Sequence, residues 1–259
     1  MTDRITMEIE GAVATITNRN PEKHNAFDDE MDFALFDFLD ELKAKPEVRA
    51  VIWQGEGKSW SSGRDVGSIG VQKTELTHHQ LMTRGLRGIQ KLWDLDQVFL
   101  VACKGWVMGG SFQRALLCDI RIAAEGTRFR LPEVTHGVIP DTGGVGVLHA
   151  ICGPGVVTDM VLTGRIMQAD EALAHGIVSR VVAPDELEST VREAAEQIAA
   201  SPAITVKMAR TVIRHLSIPD VRQSMEDELI YQTFINKSDD FAEFRAARAE
   251  ERTPNYKGS

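Results

Sequence analysis

The feature that most constrains the fold is an almost continuous apolar run, VFLVACKGWVM, at Val98–Met108. A run of this kind is typical of a strand whose two faces are both covered, as in a parallel sheet flanked by helices. Gly109 and Gly110 follow it directly, and the residues after them have helical spacing. We therefore expect a buried strand that passes straight into a helix.

The rest of the chain alternates strands and helices and then becomes helical. Residues 7–18 read as a strand paired with a second strand at 49–57, and a helix between them begins near Asp28 and is ended by Pro46. This order predicts an α/β fold with a helical C-terminal appendage. We place the core with its binding site at residues 1–195 and the helical region at 196–259.

Length and charge narrow the functional classes. The chain has 259 residues and a formal net charge of −9, which argues against nucleic acid or an anionic membrane as a partner. It shows no signal-peptide pattern and no uninterrupted stretch of 18 apolar residues, so we expect no membrane span. Three cysteines without metal-ligand spacing predict free thiols and a cytoplasmic location: Cys103, Cys118 and Cys152.

The Gly109–Gly110 junction is a candidate anion or oxyanion site. The first N–H groups of a helix have no intrahelical acceptor, and the helix dipole attracts negative charge to them. Glycine also lets the main chain approach a ligand closely. The alternative is that these glycines serve only a tight turn.

A second glycine turn lies upstream, in KSWSSGRDVGS at residues 58–68. Here Gly63 precedes Arg64, whose N–H is a second candidate donor. Two such groups converging on one carbonyl oxygen stabilise an enolate or tetrahedral oxyanion.

Two carboxyls lie eight positions apart in the segment LPEVTHGVIPDTGG, which is rich in glycine and proline. Glu133 and Asp141 are candidates for acid and base work near a reacting centre. His136, between them, is either a proton shuttle or a turn residue bonded to the main chain. An ordinary loop with solvated acids is the alternative for the whole segment.

Taken together, these segments resemble the crotonase, or enoyl-CoA hydratase/isomerase, superfamily, and the resemblance covers nearly the whole chain. The ordered set of motifs is more specific than any one glycine pair. The motifs are NPEKHNAFDDEM, SSGRDV, GGSFQRALLCDIRIAAEGTRFRLPEVTHGVIPDTGG, VLTGRIMQADEALAHGIVSRVV and ERTPNYKG.

The resemblance implies a crotonase-like (ClpP/crotonase) spiral of repeated β-β-α units, with a helical C-terminal trimerisation region. It implies a homotrimer or a dimer of trimers, acting on an acyl-CoA thioester. No cofactor or metal is expected, because coenzyme A is part of the substrate. By motif position, the oxyanion hole consists of the N–H groups of Arg64 and Gly110.

The resemblance also places the coenzyme A moiety against two segments and the C-terminal tail. Basic side chains at Lys23, Arg64 or Lys257 are candidates to meet its phosphates. The expected substrate-binding set is Lys23, His24, Asn25, Ala26, Ser62, Gly63, Asp65, Val66, Gly109 and Lys257.

One position departs from the hydratases of this family, which have a glutamate where this chain has Gln113. A glutamine orients water or substrate but does not act as an acid or base near neutral pH. Glu133 matches the lone glutamate of enoyl-CoA isomerases, and Asp141 matches a further acid of dienoyl-CoA isomerases. Arg114 replaces a residue that is usually apolar in the family, and it is a candidate to pair with an acid at the trimer interface.

These residues favour enoyl-CoA or dienoyl-CoA double-bond isomerisation, with Glu133 as the main base and acid, Asp141 as a second acid and Gln113 as an orienting group. Two alternatives stay open. One is an enoyl-CoA hydratase or dehydratase, because two segments also resemble the carnitinyl-CoA dehydratase subgroup. The other is a catalytically weak acyl-CoA-binding homologue.

Overall fold

The structure, a computed structural model, describes residues 2–68, 77–215 and 218–256. The strands in these ranges are β1 (Ile5–Glu10), β2 (Val13–Asn18), β3 (Ala50–Gly55), β4 (Val98–Cys103), β5 (Trp106–Met108), β6 (Ile120–Ala124), β7 (Arg128–Arg130), β8 (Ile166–Gln168) and β9 (Arg180–Val182). The helices are α1 (Asp29–Lys43), α2 (His78–Asp94), α3 (Gly109–Leu117), α4 (Gly144–Thr163), α5 (Ala169–Ala174), α6 (Leu187–Ala200), α7 (Ala203–His215), α8 (Ile218–Ile235) and α9 (Asp239–Ala249).

The strands form two sheets. The larger has the order β1-β2-β3-β4-β6-β9 and is parallel except for the β1–β2 pair, and the smaller has the order β5-β7-β8. All six residues of β4 are buried. One face of the large sheet packs on α1, α2 and α3, and the other packs on α6 through Leu187 and Val191. This double coverage is the reason that β4 is continuously apolar, as predicted.

The chain repeats a unit of two strands and a helix. β4, β5 and α3 form one unit, and β6, β7 and α4 form the next. In the preceding unit, β3 is the first strand and α2 is the helix. A single parallel bridge between Ser61 and Val107 of β5 stands where the second strand would be. Each unit steps sideways along both sheets, which is the predicted spiral.

Two predicted strands are each broken by a glycine. Residues 7–18 are a hairpin and not one strand, because the chain turns at Gly11 with φ +59°. Residues 98–108 divide into β4 and β5, which lie in different sheets. Between them Gly105 has φ +56°, and a Cβ there would lie 2.0 Å from the carbonyl oxygen of Lys58. Only glycine allows the chain to change sheets at that point.

The first helix has the predicted boundaries, and the fifth is followed by a glycine. The Asp28 side chain caps α1 by accepting a hydrogen bond from the Met31 N–H at 3.1 Å, and the helix ends before Pro46. α5 is followed by Gly176 with φ +76°, the left-handed position common after a helix.

One described helix, α4, is long and apolar enough to cross a membrane by length and composition alone. It is interrupted at Gly153, whose φ of 73° and ψ of 174° are not helical, and Pro154 follows. The two resulting segments are each about ten residues, whereas a span needs about 20. The break therefore argues against a membrane span.

Candidate active site

The two glycine turns predicted from the sequence lie against each other. Gly63 has φ +94°, and a Cβ there would lie 2.7 Å from the Met108 carbonyl oxygen and 3.4 Å from Cα of Gly109. Gly109 itself has φ +59°. The turns are held together because Met108 N–H donates to the Ser61 carbonyl at 3.1 Å. No side chain fits at Gly63, which explains why the chain has glycine at this turn.

Each turn presents a main-chain N–H that the described chain does not use. Phe27 N–H donates to the Gly63 carbonyl at 2.8 Å, and Asp65 N–H donates to the Phe27 carbonyl at 2.8 Å. The Arg64 N–H between them therefore points away from Phe27, by the alternation of an extended chain. Gly110 lies in the first turn of α3, where the N–H has no intrahelical acceptor.

These two residues border a cavity of about 590 Å³. Glu133 and Asp141 line the same cavity, so the structure brings together four of the five positions predicted to carry the chemistry. The wall also includes residues of α8 and α9, among them Gln232. The predicted boundary at residue 195 therefore does not separate the cavity from the helical region.

Glu133 begins a short 3-10 helix, Glu133–His136, and is buried. Its Oε1 accepts a hydrogen bond from Gln113 Nε2 at 2.9 Å, and Oε2 has no hydrogen-bond partner in the described residues. Burial raises the pKa of Glu133 to about 7, with a further upward contribution from Asp141. A carboxyl with this pKa exchanges protons readily near neutrality.

Gln113 lies behind Glu133 and does not appear in the described wall of the cavity. Its Oε1 accepts hydrogen bonds from the N–H groups of Thr142 at 2.8 Å and Gly144 at 3.3 Å. Because only the oxygen of the amide accepts, Nε2 must face Glu133. The geometry is that of a positioning residue and differs from the predicted contact with water or substrate.

Asp141 is partly exposed to the cavity. Burial raises its pKa to about 6, although the positive charges of Arg64 and Arg114 act in the opposite direction. Glu133 and Asp141 are thus two carboxyls of different pKa facing one cavity, a pattern that suits paired acid and base work.

The Arg64 side chain points into the cavity wall. Its guanidinium is hydrogen-bonded to Asp29 and to Asp32, the latter at 2.7 Å. Arg114 pairs with the other oxygen of Asp32 at 2.7 Å and stacks on Phe27 with its Cζ 4.6 Å from the ring centroid. The predicted pairing of Arg114 with an acid is confirmed, and it lies within one chain. Two carboxylates therefore engage the Arg64 guanidinium, and its contact with a phosphate stays a prediction.

The segments predicted to hold coenzyme A are joined to each other. Ser62 N–H donates to the His24 carbonyl at 2.8 Å, and Lys23 Nζ pairs with Asp65 at 2.7 Å. The buried Asn25 side chain donates to the Ser59 carbonyl at 2.7 Å. Ala26 is buried, and Gly63 and Gly109 form the paired turns described above. Val66 begins a short 3-10 helix and packs beside Phe241, whereas Lys257 lies outside the described residues.

His136 does not face the cavity. Its ring lies 5.7 Å from that of Phe244, and burial lowers its pKa. Of the two predictions for this residue, a turn residue fits the structure better than a proton shuttle.

Sequence reasoning missed a further buried carboxyl, Glu228 of α8. Its Oε2 accepts a hydrogen bond from Gly143 N–H at 2.6 Å, and its Oε1 accepts one from Ser224 Oγ at 3.1 Å. Burial raises its pKa to about 8. A signal was present, because Ser224, Glu228 and Gln232 recur every four residues beside the apolar face of α8.

Among the described residues, no three His, Cys, Asp or Glu side chains form a cluster that could hold a metal ion. The three cysteines are free thiols, and Cys103 and Cys118 are buried. The ionisable groups that line the cavity are carboxyls, guanidinium groups, the His79 imidazole and the Lys237 ammonium group.

Two unused main-chain amides beside a buried carboxyl are the arrangement with which enzymes stabilise an oxyanion while they move a proton. The sequence profile of the family described as "Enoyl-CoA hydratase/isomerase" matches residues 8–259. The chain therefore belongs to the enoyl-CoA hydratase/isomerase family, in the crotonase superfamily.

Individual relatives agree with this assignment. The chain is 34% identical to the carnitinyl-CoA dehydratase of Salmonella arizonae and 33% identical to that of Salmonella typhi, each over 100% of both chains. An enoyl-CoA hydratase/isomerase structure from Pseudoalteromonas atlantica has a TM-score of 0.89 at 27% identity, over 98% of this chain and 100% of that one. One from Xanthobacter autotrophicus has a TM-score of 0.86 at 29% identity, over 96% and 94%.

Proposed function

We propose that the protein binds an acyl-CoA thioester and stabilises its enolate, with the N–H groups of Arg64 and Gly110 holding the thioester oxygen. The observation that carries the proposal is the contact between the two turns. Glu133 completes the arrangement, since its Oε1 lies 3.6 Å from the position of a Cβ on Gly109. An enolate formed at the amides is therefore beside a carboxyl of suitable pKa.

The reaction that these residues support best is double-bond isomerisation. The Glu133 carboxylate takes a proton from C2 of a 3-enoyl-CoA, and the electron pair moves through the thioester to the oxygen held by the amides. The protonated Glu133, or Asp141 in the wall of the same cavity, then returns a proton to C4, which leaves the double bond between C2 and C3. No atom is gained or lost.

Gln113 supports this choice over hydration by two glutamates. Its amide oxygen is engaged by two main-chain N–H groups, and it stands behind Glu133. Gln113 thus supplies neither a second carboxyl group nor a side chain that activates a water molecule.

Hydration and dehydration form the second candidate, favoured by the relatives of 33–34% identity that are named carnitinyl-CoA dehydratase. In that reaction Glu133 removes the C2 proton and protonated Asp141 delivers a proton to the departing C3 hydroxyl, which leaves as water. Asp141 then takes the role of the glutamate that family hydratases have at the position of Gln113.

We also propose that the substrate's coenzyme A moiety lies along the joined segments 23–26 and 62–66, with no further cofactor, and that the protein is cytoplasmic. The proposed assembly is a homotrimer or a dimer of trimers. Exposed apolar side chains on α7 and α8 support an association of copies, among them Ile204, Val212 and Phe234, whose exposures are 69%, 64% and 70%.

The test is to offer the purified protein crotonyl-CoA, a 3-enoyl-CoA and carnitinyl-CoA. Isomers are identified by chromatographic retention against 2-enoyl-CoA and 3-enoyl-CoA standards, and gain or loss of water by mass spectrometry. Conversion of the 3-enoyl-CoA to the 2-enoyl-CoA supports isomerisation. Fast hydration of crotonyl-CoA, or water loss from carnitinyl-CoA without isomerisation, supports the second candidate. Exchange of the C2 protons of a saturated acyl-CoA in D₂O tests enolate formation itself. Binding without any of these reactions would make the protein a catalytically weak homologue.

A further inference from the structure

A polar stripe on α8 faces the loop that carries Asp141. Its members are Ser224, Glu228 and Gln232, one helical turn apart. Glu228 accepts the Gly143 N–H at 2.6 Å, and Gln232 Oε1 accepts the Ile139 N–H at 3.1 Å. The C-terminal region therefore bonds directly to the main chain on both sides of Asp141.

The same loop is held from the opposite side by α3. Gln113 Oε1 accepts the N–H groups of Thr142 and Gly144, and Glu228 accepts that of Gly143 between them. Three consecutive N–H groups at the start of α4 are thus taken by two side chains from different helices. In an exposed loop, these N–H groups would instead donate hydrogen bonds to water.

The loop has little room to relax. Gly143 has φ +84°, and a Cβ on it would lie 2.6 Å from Cγ of Met225, the residue next to Ser224 on α8. Glu228 is 6% exposed and does not belong to the described cavity wall, so it does not meet substrate. Its contacts hold the loop at Gly143 in place.

We propose that Glu228 is a positioning residue, which fixes Asp141 for proton transfer by clamping Gly143 against α8. The proposal rests on the role given above to Asp141. It extends the active site to a helix that contributes no catalytic side chain. An unclamped loop would move the Asp141 carboxyl, and a displacement of about 1 Å lowers a rate about 100-fold.

The ionisation of Glu228 is consistent with this role. Burial raises its pKa to about 8, and the charges of Asp141 and Glu133 act in the same direction. A carboxyl that is neutral at pH 7 accepts the Gly143 N–H on its carbonyl oxygen without adding a third negative charge to the site.

The experiment compares Glu228→Gln, Glu228→Leu and a matched control, Glu226→Leu, which alters an exposed carboxylate on the same helix. Each variant is assayed for kcat and KM on the best of the three substrates named above. Amide hydrogen exchange of residues 140–146 is followed by mass spectrometry. Glu228→Gln keeps an oxygen for the Gly143 N–H, so we expect its kcat to stay within about threefold of the unmodified chain.

For Glu228→Leu we expect kcat to fall about 10- to 100-fold with KM changed less than about twofold, and exchange at 140–146 to rise at least about tenfold. The control should change neither.

Unchanged exchange in Glu228→Leu overturns the clamp, and faster exchange with unchanged kcat overturns its role in positioning Asp141. If the unmodified chain turns over no substrate, the proposed function fails and exchange alone decides the clamp. If Glu228→Leu does not fold, slower exchange in Glu228→Gln than in Glu228→Ser supports the clamp, and equal exchange overturns it.

Discussion

The amide nitrogen of Gln113 donates a hydrogen bond to Oε1 of Glu133 at 2.9 Å, while the amide oxygen accepts two main-chain N–H groups. This places a neutral donor where family hydratases have a second carboxyl. Glu133 is thus the group left to titrate at this end of the cavity, and its neighbour holds it in one orientation. The predictions below test the site built around this pair.

Replacement of Glu133 should remove catalysis without removing binding. Glu133→Gln keeps the size of the side chain but loses its proton chemistry, so we expect kcat to fall about 100- to 10,000-fold. Binding of the substrate, measured by calorimetry, should change by less than about threefold, because the amides of Arg64 and Gly110 are unaltered. Turnover that survives this change would contradict the role of Glu133.

The Gln113 hydrogen bond should set the protonation of Glu133. A second carboxyl in Gln113→Glu repels negative charge on Glu133, so the apparent pKa in the pH–rate profile should rise by about one unit. At pH 7 isomerisation should then slow several-fold. In Gln113→Leu the loss of the hydrogen bond should also raise the apparent pKa of Glu133. The pH–rate profile of this variant should show no second ionisation, because leucine carries no carboxyl. A profile unchanged in both variants would show that the pair does not govern the reaction.

The contact between the two turns should depend on Gly63. A methyl group there would lie 2.7 Å from the Met108 carbonyl and would adopt an unfavourable φ of +94°. We expect Gly63→Ala to lose about 1–3 kcal/mol of stability and about 100- to 1,000-fold in kcat. Gly126→Ala is the control, since φ is also positive, at +75°, but nothing lies within 4 Å. Equal kcat losses in the two variants would refute the explanation by close contact.

The stability of the ligand-free protein should fall as the pH rises from 7 to 8.5. The pKa values of Glu133 and Glu228 are raised to about 7 and about 8. The folded chain therefore retains protons that the unfolded chain has lost, and its free energy of unfolding decreases until both groups are ionised. His136, with a lowered pKa, acts in the opposite direction but only below about pH 6.5.

Melting temperatures across this pH range provide the measurement, with Glu228→Gln as the comparison. That variant cannot ionise at 228, so its melting temperature should decline less steeply. An equal slope in both proteins would mean that Glu228 is already ionised at pH 7.

The exposed apolar surface of α7 and α8 should hold copies of the chain together. Charges in Met208→Glu and Val212→Glu should weaken the assembly, because an unpaired buried charge opposes association strongly. Light scattering after gel filtration should give about three or six times the chain mass for the unmodified protein and a smaller mass for the variants. Lys43→Glu, on α1, is a control for added negative charge.

Local sequence determined much of this protein. A glycine pair between a buried strand and a helix leaves N–H groups without intrahelical acceptors whatever surrounds them, so Gly110 was predictable as a candidate donor. The apolar pattern of β4 likewise predicted a strand covered on both faces. Each depends on neighbouring residues alone.

Tertiary structure decided which groups the side chains contact and how they ionise. Gln113 meets a residue 20 positions away, and Glu228 bonds to Gly143 across 85 positions. Only the folded chain brings Asp29 and Asp32 of α1 against the Arg64 guanidinium. Burial and pairing, which set both pKa and orientation, depend on which distant segments meet, and no local pattern contains that information.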